Sequence, residues 1–167
     1  MEQPFSEEIN KYFEILESEE TSIDQRIESL INLSNFFVDK DFADSFKYAS
    51  IATIVTDIPR ADACCCLGDR YLMTNNIKWA KIWYRHALDD ALRVGCDCKY
   101  WTYLPLIKFA QIDFLQENYD SALNLVEALL LMRKDDTEIL ELKDIILSKM
   151  GKKLYFYNII KYLLLYK

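Results

Sequence analysis

Apolar residues recur along this chain at spacings of three and four, the period of helices that bury one face, rather than at strand alternation. The clearest stretch covers residues 61–94. Six of its residues alternate between small and large side chains: Leu67, Gly68, Tyr71, Ala80, Tyr84 and Ala87. The small residues would let two helices approach closely, and the tyrosines would fill the space beside them. The pattern predicts a hairpin of two antiparallel helices.

A weaker copy precedes this hairpin. Its first helix has an apolar stripe of Leu30, Leu33 and Phe37, and residues 39–41 form a polar turn. Its second helix carries large and small residues on one face: Phe42, Ser45, Phe46, Ala49 and Ala52. This helix is expected to stop before Pro59, because a proline disfavours helical geometry in the residue before it.

A third copy follows. Its first helix carries Leu106, Phe109, Ala110 and Phe114, residues 116–118 form the turn, and its second helix carries Tyr119, Ala122, Val126 and Leu129. Ala80 and Ala122 are 42 residues apart, whereas the basic unit has about 34 residues. About eight additional residues are therefore expected between the second and third copies, around residues 95–102.

The two ends of the chain carry further helical signals. Residues 6–17 predict a first helix, with its apolar face formed by Ile9, Tyr12, Phe13 and Leu16. Asp136 or Thr137 could cap a helix over residues 138–149. The predicted buried face of that helix consists of Leu140, Ile145 and Ile146. Only Asn158 and Lys161 interrupt the apolar segment 154–166, which is too short to cross a bilayer as a helix.

These elements predict an all-α fold, a right-handed superhelical stack of antiparallel helix pairs with a capping C-terminal helix. The repeat domain would cover residues 1–149, with repeats at 27–60, 61–94 and 103–136 and the capping helix at 137–149. An apolar tail rich in lysine and tyrosine, residues 150–167, would follow. Three Gly and three Pro in 167 residues agree with long helices rather than a turn-rich sheet.

Charge narrows the range of partners. The net charge of −7 argues against nucleic acid, which binds clustered Lys and Arg. Residues 1–28 hold nine acids and two bases, and residues 143–167 hold six lysines and one acid. Two interpretations of these oppositely charged ends stay open, a solvated surface and head-to-tail contact between chains.

The candidate chemistry is sparse. The start of the chain is acidic, unlike a signal peptide, so the five cysteines are expected to be reduced thiols in the cytoplasm. Cys64, Cys65 and Cys66 lie on one helix, where neighbouring side chains diverge and cannot converge on one metal ion. His86 is expected to face outward, and Cys96 and Cys98 fall in the insertion. The sequence predicts no catalytic residue, metal ligand or cofactor.

The alternation at 61–94 resembles a tetratricopeptide repeat. The likeness becomes more specific in Pro-Arg-Ala-Asp at 59–62, Cys-Cys-x-Leu-Gly at 64–68, Trp-Tyr at 83–84, and Trp101 followed by Pro105. Together these resemble the C-terminal repeat region of bacterial glycosyltransferases that contain tetratricopeptide repeats, over residues 25–147. In that family a catalytic domain precedes the repeats, which form dimers or engage the acceptor protein. The resemblance implies a detached or truncated repeat region that is non-catalytic by itself.

The expected function is therefore protein or peptide binding, or homodimerisation. Eight residues on the first helices are predicted to line a concave groove: Asn35, Val38, Cys65, Asp69, Leu72, Ile107, Gln111 and Phe114. The apolar tail has three interpretations: a helix that covers the end of the repeat stack, an interface with another chain, and a contact with a membrane surface. Six of its residues form the candidate interface: Tyr155, Phe156, Ile159, Ile160, Leu163 and Leu164. Two alternatives stay open, an adaptor that uses the tail at a membrane surface and a glycosyltransferase enzyme.

Overall fold

The structure is a computed structural model that describes residues 7–94 and 99–165. These residues form helices and connecting turns without a strand, so the predicted all-α class is confirmed. The helices are α1 (Glu7–Glu17), α2 (Ile23–Phe37), α3 (Phe42–Ile54), α4 (Ala61–Met73), α5 (Ile77–Val94), α6 (Lys99–Leu115), α7 (Tyr119–Met132) and α8 (Thr137–Leu165).

Polar side chains fix where several helices begin. Ser22 and Gln25 form a reciprocal capping box at the start of α2, in which each side chain bonds the other residue's backbone N–H. The Asp41 carboxylate accepts from the first backbone N–H groups of α3, so the polar turn predicted at 39–41 is confirmed. Asp136 accepts from the Ile139 N–H at 3.2 Å and caps α8, as predicted.

Helices α2 and α3, α4 and α5, and α6 and α7 form the three predicted hairpins. The second helices of these hairpins bury residues at the same positions. Each has three fully buried residues at spacings of four and then three: Ser45, Ala49 and Ala52 on α3; Ala80, Tyr84 and Ala87 on α5; Ala122, Val126 and Leu129 on α7. Small residues recur at the matching place on the first helices, as Ser34, Gly68 and Ala110. The architecture is therefore that of a helical repeat.

The turns of the second and third hairpins also match. Asn75 and Glu117 both have positive φ, 57° and 59°. In each turn the following residue donates a backbone hydrogen bond five residues back, from Asn76 to Tyr71 and from Asn118 to Asp113, both at 2.8 Å. This is the helix-ending geometry in which a left-handed residue allows carbonyls of the last turn to be satisfied. The first hairpin uses a different turn, closed by the Asp41 cap.

The chain divides into two compact units, one up to Pro105 and one from Leu106. In the first unit α1 packs on α2, α2 on α3 and α4, α3 on α4, and α4 on α5. In the second unit α7 packs on α8, and Lys143 of α8 forms an ion pair with Glu127 of α7 at 3.2 Å. The Ser121 hydroxyl donates to the Asp113 carboxylate, which joins α7 to the end of α6.

Helices α4 and α5 approach each other closely at Gly68, as the sequence predicted. A Cβ atom added to Gly68 would lie 2.8 Å from Cε1 and 2.9 Å from Cδ1 of Tyr84. The Tyr84 ring is fully buried, so it has no free space into which to move. The close helix approach predicted at Gly68 is confirmed.

Three details of the sequence interpretation were wrong. Helix α8 does not end near Lys149 but continues to Leu165. Over residues 137–152 its buried residues are Ile139 and Ile146, so the prediction is confirmed for Ile146 but wrong for Leu140 and Ile145, which are 41% and 49% exposed. The reason is that α8 turns the 139/146 row toward α7, and a sequence rich in apolar residues on several faces does not specify which row is buried. Residues 99–102, assigned to an insertion, form the first turn of α6.

Replacing Gly68 by alanine tests the close approach of α4 and α5. We expect Gly68→Ala to lower the free energy of unfolding by about 1–3 kcal/mol, because the added methyl group overlaps a buried ring. The matched control is Gly151→Ala in α8, where an added Cβ meets nothing within 4 Å. Because alanine has a higher helix propensity than glycine, Gly151→Ala should raise the free energy of unfolding by about 0.5–1 kcal/mol. Urea unfolding measures both, and equal effects at the two glycines would contradict the packing described.

Candidate partner-binding surface

The structure distributes the eight predicted groove residues over both units. In the first unit Asn35 is exposed, and Val38, Asp69 and Leu72 are half-buried. Cys65 is only 3% exposed and belongs to the core, so its side chain is not presented to a partner, in contrast to the prediction. The cause is that the small thiol packs inside the helix pair, as cysteine often does.

The remaining three predicted residues lie in the second unit, on α6. Gln111 is exposed, and Ile107 and Phe114 are half-buried. The Phe114 ring packs against Tyr119 of α7, with ring centroids 5.7 Å apart. That contact closes the turn between the two helices, so Phe114 has a structural role within its own hairpin.

Arg70 is the residue that organises the surface of the first unit, and the sequence interpretation did not include it. It is only 5% exposed. Its Nε donates to the Ser34 hydroxyl at 3.0 Å, and its Nη2 donates to Oδ1 of Asn35. Among the described residues no carboxylate lies within ion-pair distance of it. A buried guanidinium is thus held by neutral acceptors, at a cost in desolvation that ion pairing does not offset.

The acceptor Ser34 is itself part of a close contact between α2 and α3. The Ser34 hydroxyl donates to the Ser45 carbonyl at 2.8 Å, and the Ser45 hydroxyl donates to the Ser34 carbonyl at 2.7 Å. Both residues are fully buried. This reciprocal pair connects the two helices and fixes the hydroxyl that accepts from Arg70, so the Ser34, Ser45 and Arg70 side chains all have hydrogen-bond partners.

A second polar connection runs from the core to the surface at Asp69. The buried Tyr84 hydroxyl donates to the Asp69 carboxylate, which is half-buried. Burial, followed by the neighbouring negative charge of Asp69, raises the pKa of Tyr84, so the phenol remains a donor. Asn35 and Asp69 occupy equivalent positions, 34 residues apart, on α2 and α4. Exposed Asn35 and half-buried Asp69 are therefore each oriented by a hydrogen bond from a buried side chain.

A separate concavity of about 210 Å³ lies at the start of α4, lined by Arg60, Asp62, Asp90, Trp101 and small apolar residues. The charged side chains of this concavity bond to other groups of the same chain. Asp90 accepts from the Ala61 N–H at 2.9 Å, and Arg60 pairs with Asp62 and with Asp24 of α2. These bonds fasten the start of α4 to its neighbours, which accounts for the polar groups of this concavity.

The candidate reactive groups are placed as follows. Cys64, Cys65 and Cys66 are all buried, and burial raises the pKa of the Cys64 thiol to about 12, well away from the thiolate range of reactive cysteines. His86 is exposed, as predicted, with its ring 5.5 Å from that of Trp83. Within the described part of the chain no three His, Cys, Asp or Glu residues are grouped to hold a metal. Cys96 and Cys98 lie outside the described residues.

The six predicted tail residues belong to the last part of α8, where the structure describes the backbone helix. None of the helices in the described residues has the length and apolarity needed to cross a bilayer. The chain matches no protein-family model and no curated protein.

Replacing Asn35 by aspartate tests whether Arg70 lacks a charged partner. The side chains have the same shape, so the introduced carboxylate would accept the same Nη2 hydrogen bond and add charge attraction. We expect Asn35→Asp to raise the free energy of unfolding by about 1 kcal/mol at pH 7, a modest value because position 35 is exposed. The guanidinium lowers the pKa of the introduced carboxyl in the folded state. The added stability is therefore fully present at pH values above the ordinary aspartate pKa, and it is lost as the pH falls through the lowered folded-state pKa.

The control for this variant is Asn124→Asp, an exposed position in the middle of α7. Urea unfolding at pH 7 and at pH 3 compares the two. A gain at position 35 no larger than that at position 124, or one independent of pH, would contradict the description of Arg70.

Proposed function

We propose that this chain is a non-catalytic helical-repeat module, of the tetratricopeptide type, that binds an extended segment of another protein on the first helices of its hairpins. Three hairpins with equivalent buried positions support the repeat class. The motifs at 59–105 further favour a repeat region related to those of bacterial glycosyltransferases, with a right-handed superhelical stack as its arrangement. A cytoplasmic location agrees with the reduced, buried thiols of α4.

The observation that carries this proposal is the oriented amide of Asn35. Because Oδ1 accepts from the buried Arg70, the orientation of this amide on an exposed residue is fixed, and its Nδ2 remains as a donor for a partner. A peptide carbonyl is a suitable acceptor for such a donor. Half-buried Leu72 lies on α4, the first helix of the next hairpin, which packs on α2. A fixed polar donor on one first helix and an apolar side chain on the next suit the alternating backbone and side-chain groups of an extended peptide.

The test uses peptides selected from a random displayed library on the intact chain. Asn35→Asp retains the acceptor for Arg70 but removes the Nδ2 donor, so it should weaken binding of the selected peptides about tenfold without unfolding the protein. Leu72→Ala should weaken binding similarly. The control pair Lys47→Ala and Asp89→Ala, exposed on the second helices, should leave affinity unchanged. Peptides that bind all variants equally, or selections that yield none, would refute the proposal.

Self-association through the tail is a second candidate, favoured by the backbone of α8. Helical geometry up to Leu165 gives the six tail residues the spacing of one broad apolar row: Tyr155, Phe156, Ile159, Ile160, Leu163 and Leu164. The flanking lysines would also suit a membrane surface, which is the alternative outcome. We expect the intact chain to be a dimer in 0.5 M salt and a version ending at Met150 to be a monomer, measured by light scattering. Equal masses would refute tail-mediated dimerisation.

A further inference from the structure

A positively charged face runs along the first half of α5. Between Ile77 and Leu88 the helix has three basic residues and no acid. Lys78 and Arg85 are exposed and lie seven residues apart, which is two turns or about 10 Å along the helix. Among the described residues neither has a carboxylate partner.

A negatively charged face of the same spacing lies on α1. Glu7 and Glu14 are exposed and are also seven residues apart, so they too project from one side of their helix at about 10 Å. No cation of the described chain is within ion-pair distance of either. The stretch 7–20 contains six glutamates and a single base, Lys11, which lies between Glu7 and Glu14 on the same side of the helix and leaves that face with a net negative charge.

These two faces do not meet within one molecule. Helix α1 packs on α2, whereas α5 packs on α4, so the faces belong to opposite ends of the series of packed helices in the first unit. The two faces therefore do not pair within one molecule, whereas two copies can bring them together. An interface that joins one face to a different face is heterologous, and it repeats from copy to copy without closing unless the rotation happens to form a ring.

We propose that the α5 face of one molecule binds the α1 face of a second copy, which gives head-to-tail assembly driven by charge. Lys78 and Arg85 of one copy pair with Glu14 and Glu7 of the next in antiparallel helix order. Exposed charge pairs are weak and screened by salt, so assembly depends on ionic strength and on a high local concentration. This inference does not depend on the peptide-binding surface, because neither face includes Asn35, Asp69 or Leu72.

The experiment is a charge swap on the full chain, read by light scattering across a concentration series. In about 20 mM salt, where screening is weak, the mean mass of the unmodified chain should rise with protein concentration. At each protein concentration it should exceed the mean mass measured in 0.5 M salt. The double variants Lys78→Glu/Arg85→Glu and Glu7→Lys/Glu14→Lys should each weaken this association about tenfold or more, since both faces then carry one sign. An equal mixture of the two variants should restore it.

A matched control removes the effect of net charge. Lys134→Glu/Lys149→Glu changes the net charge by the same amount as the α5 variant but at exposed positions in the second unit. It should associate like the unmodified chain. The proposal fails if the control loses association equally, if the mixed variants associate no more than each alone, or if mass is independent of salt. Association that is insensitive to salt but lost after truncation at Met150 would assign assembly to the tail instead.

Discussion

The close approach of the Gly68 backbone to the Tyr84 ring is the constraint on which the first unit depends. It brings α4 and α5 closer than any side chain at position 68 would allow. This approach buries the Tyr84 ring completely and places its hydroxyl within hydrogen-bonding distance of Asp69. The packing of the hairpin and the orientation of a surface carboxylate thus have one origin, because a close-packed interior transmits position to the groups attached to it.

In the neighbouring hairpin the two helices also contact each other through small residues, but hydrogen bonds hold them together. Where the second hairpin has glycine against an aromatic ring, the first has Ser34 against Ser45, with two reciprocal hydrogen bonds. Arg70 connects the two hairpins by bonding Ser34 from α4. Removing one partner of such a buried network leaves another group unsatisfied, so the network defines one relative position of α2 and α4. The exposed Asn35 amide is oriented by that same position.

Much of the fold could be predicted from the sequence because helical hairpins depend on small residues at fixed spacings. The pattern around Gly68 and Ala80, and the polar turns, needed no knowledge of tertiary structure. Arg70 could not be assigned in the same way. A single cation beside Asp69 suggests a surface residue, and only the packing of α2 on α4 reveals that it is buried against neutral acceptors. The prediction that Cys65 lines a groove was wrong for a related reason, because spacing alone does not distinguish a groove position from a core position.

The most direct test of the account is hydrogen exchange of the chain alone and saturated with a peptide selected on it. The proposed binding surface lies on the first helices, so bound peptide should slow exchange in α2 and α4, near Asn35 and Leu72, and leave α3 and α5 unchanged. Slowing confined to α3 and α5, or uniform slowing over all helices, would contradict it. In the first case the binding surface would lie on the second helices, and in the second the peptide would stabilise the fold as a whole.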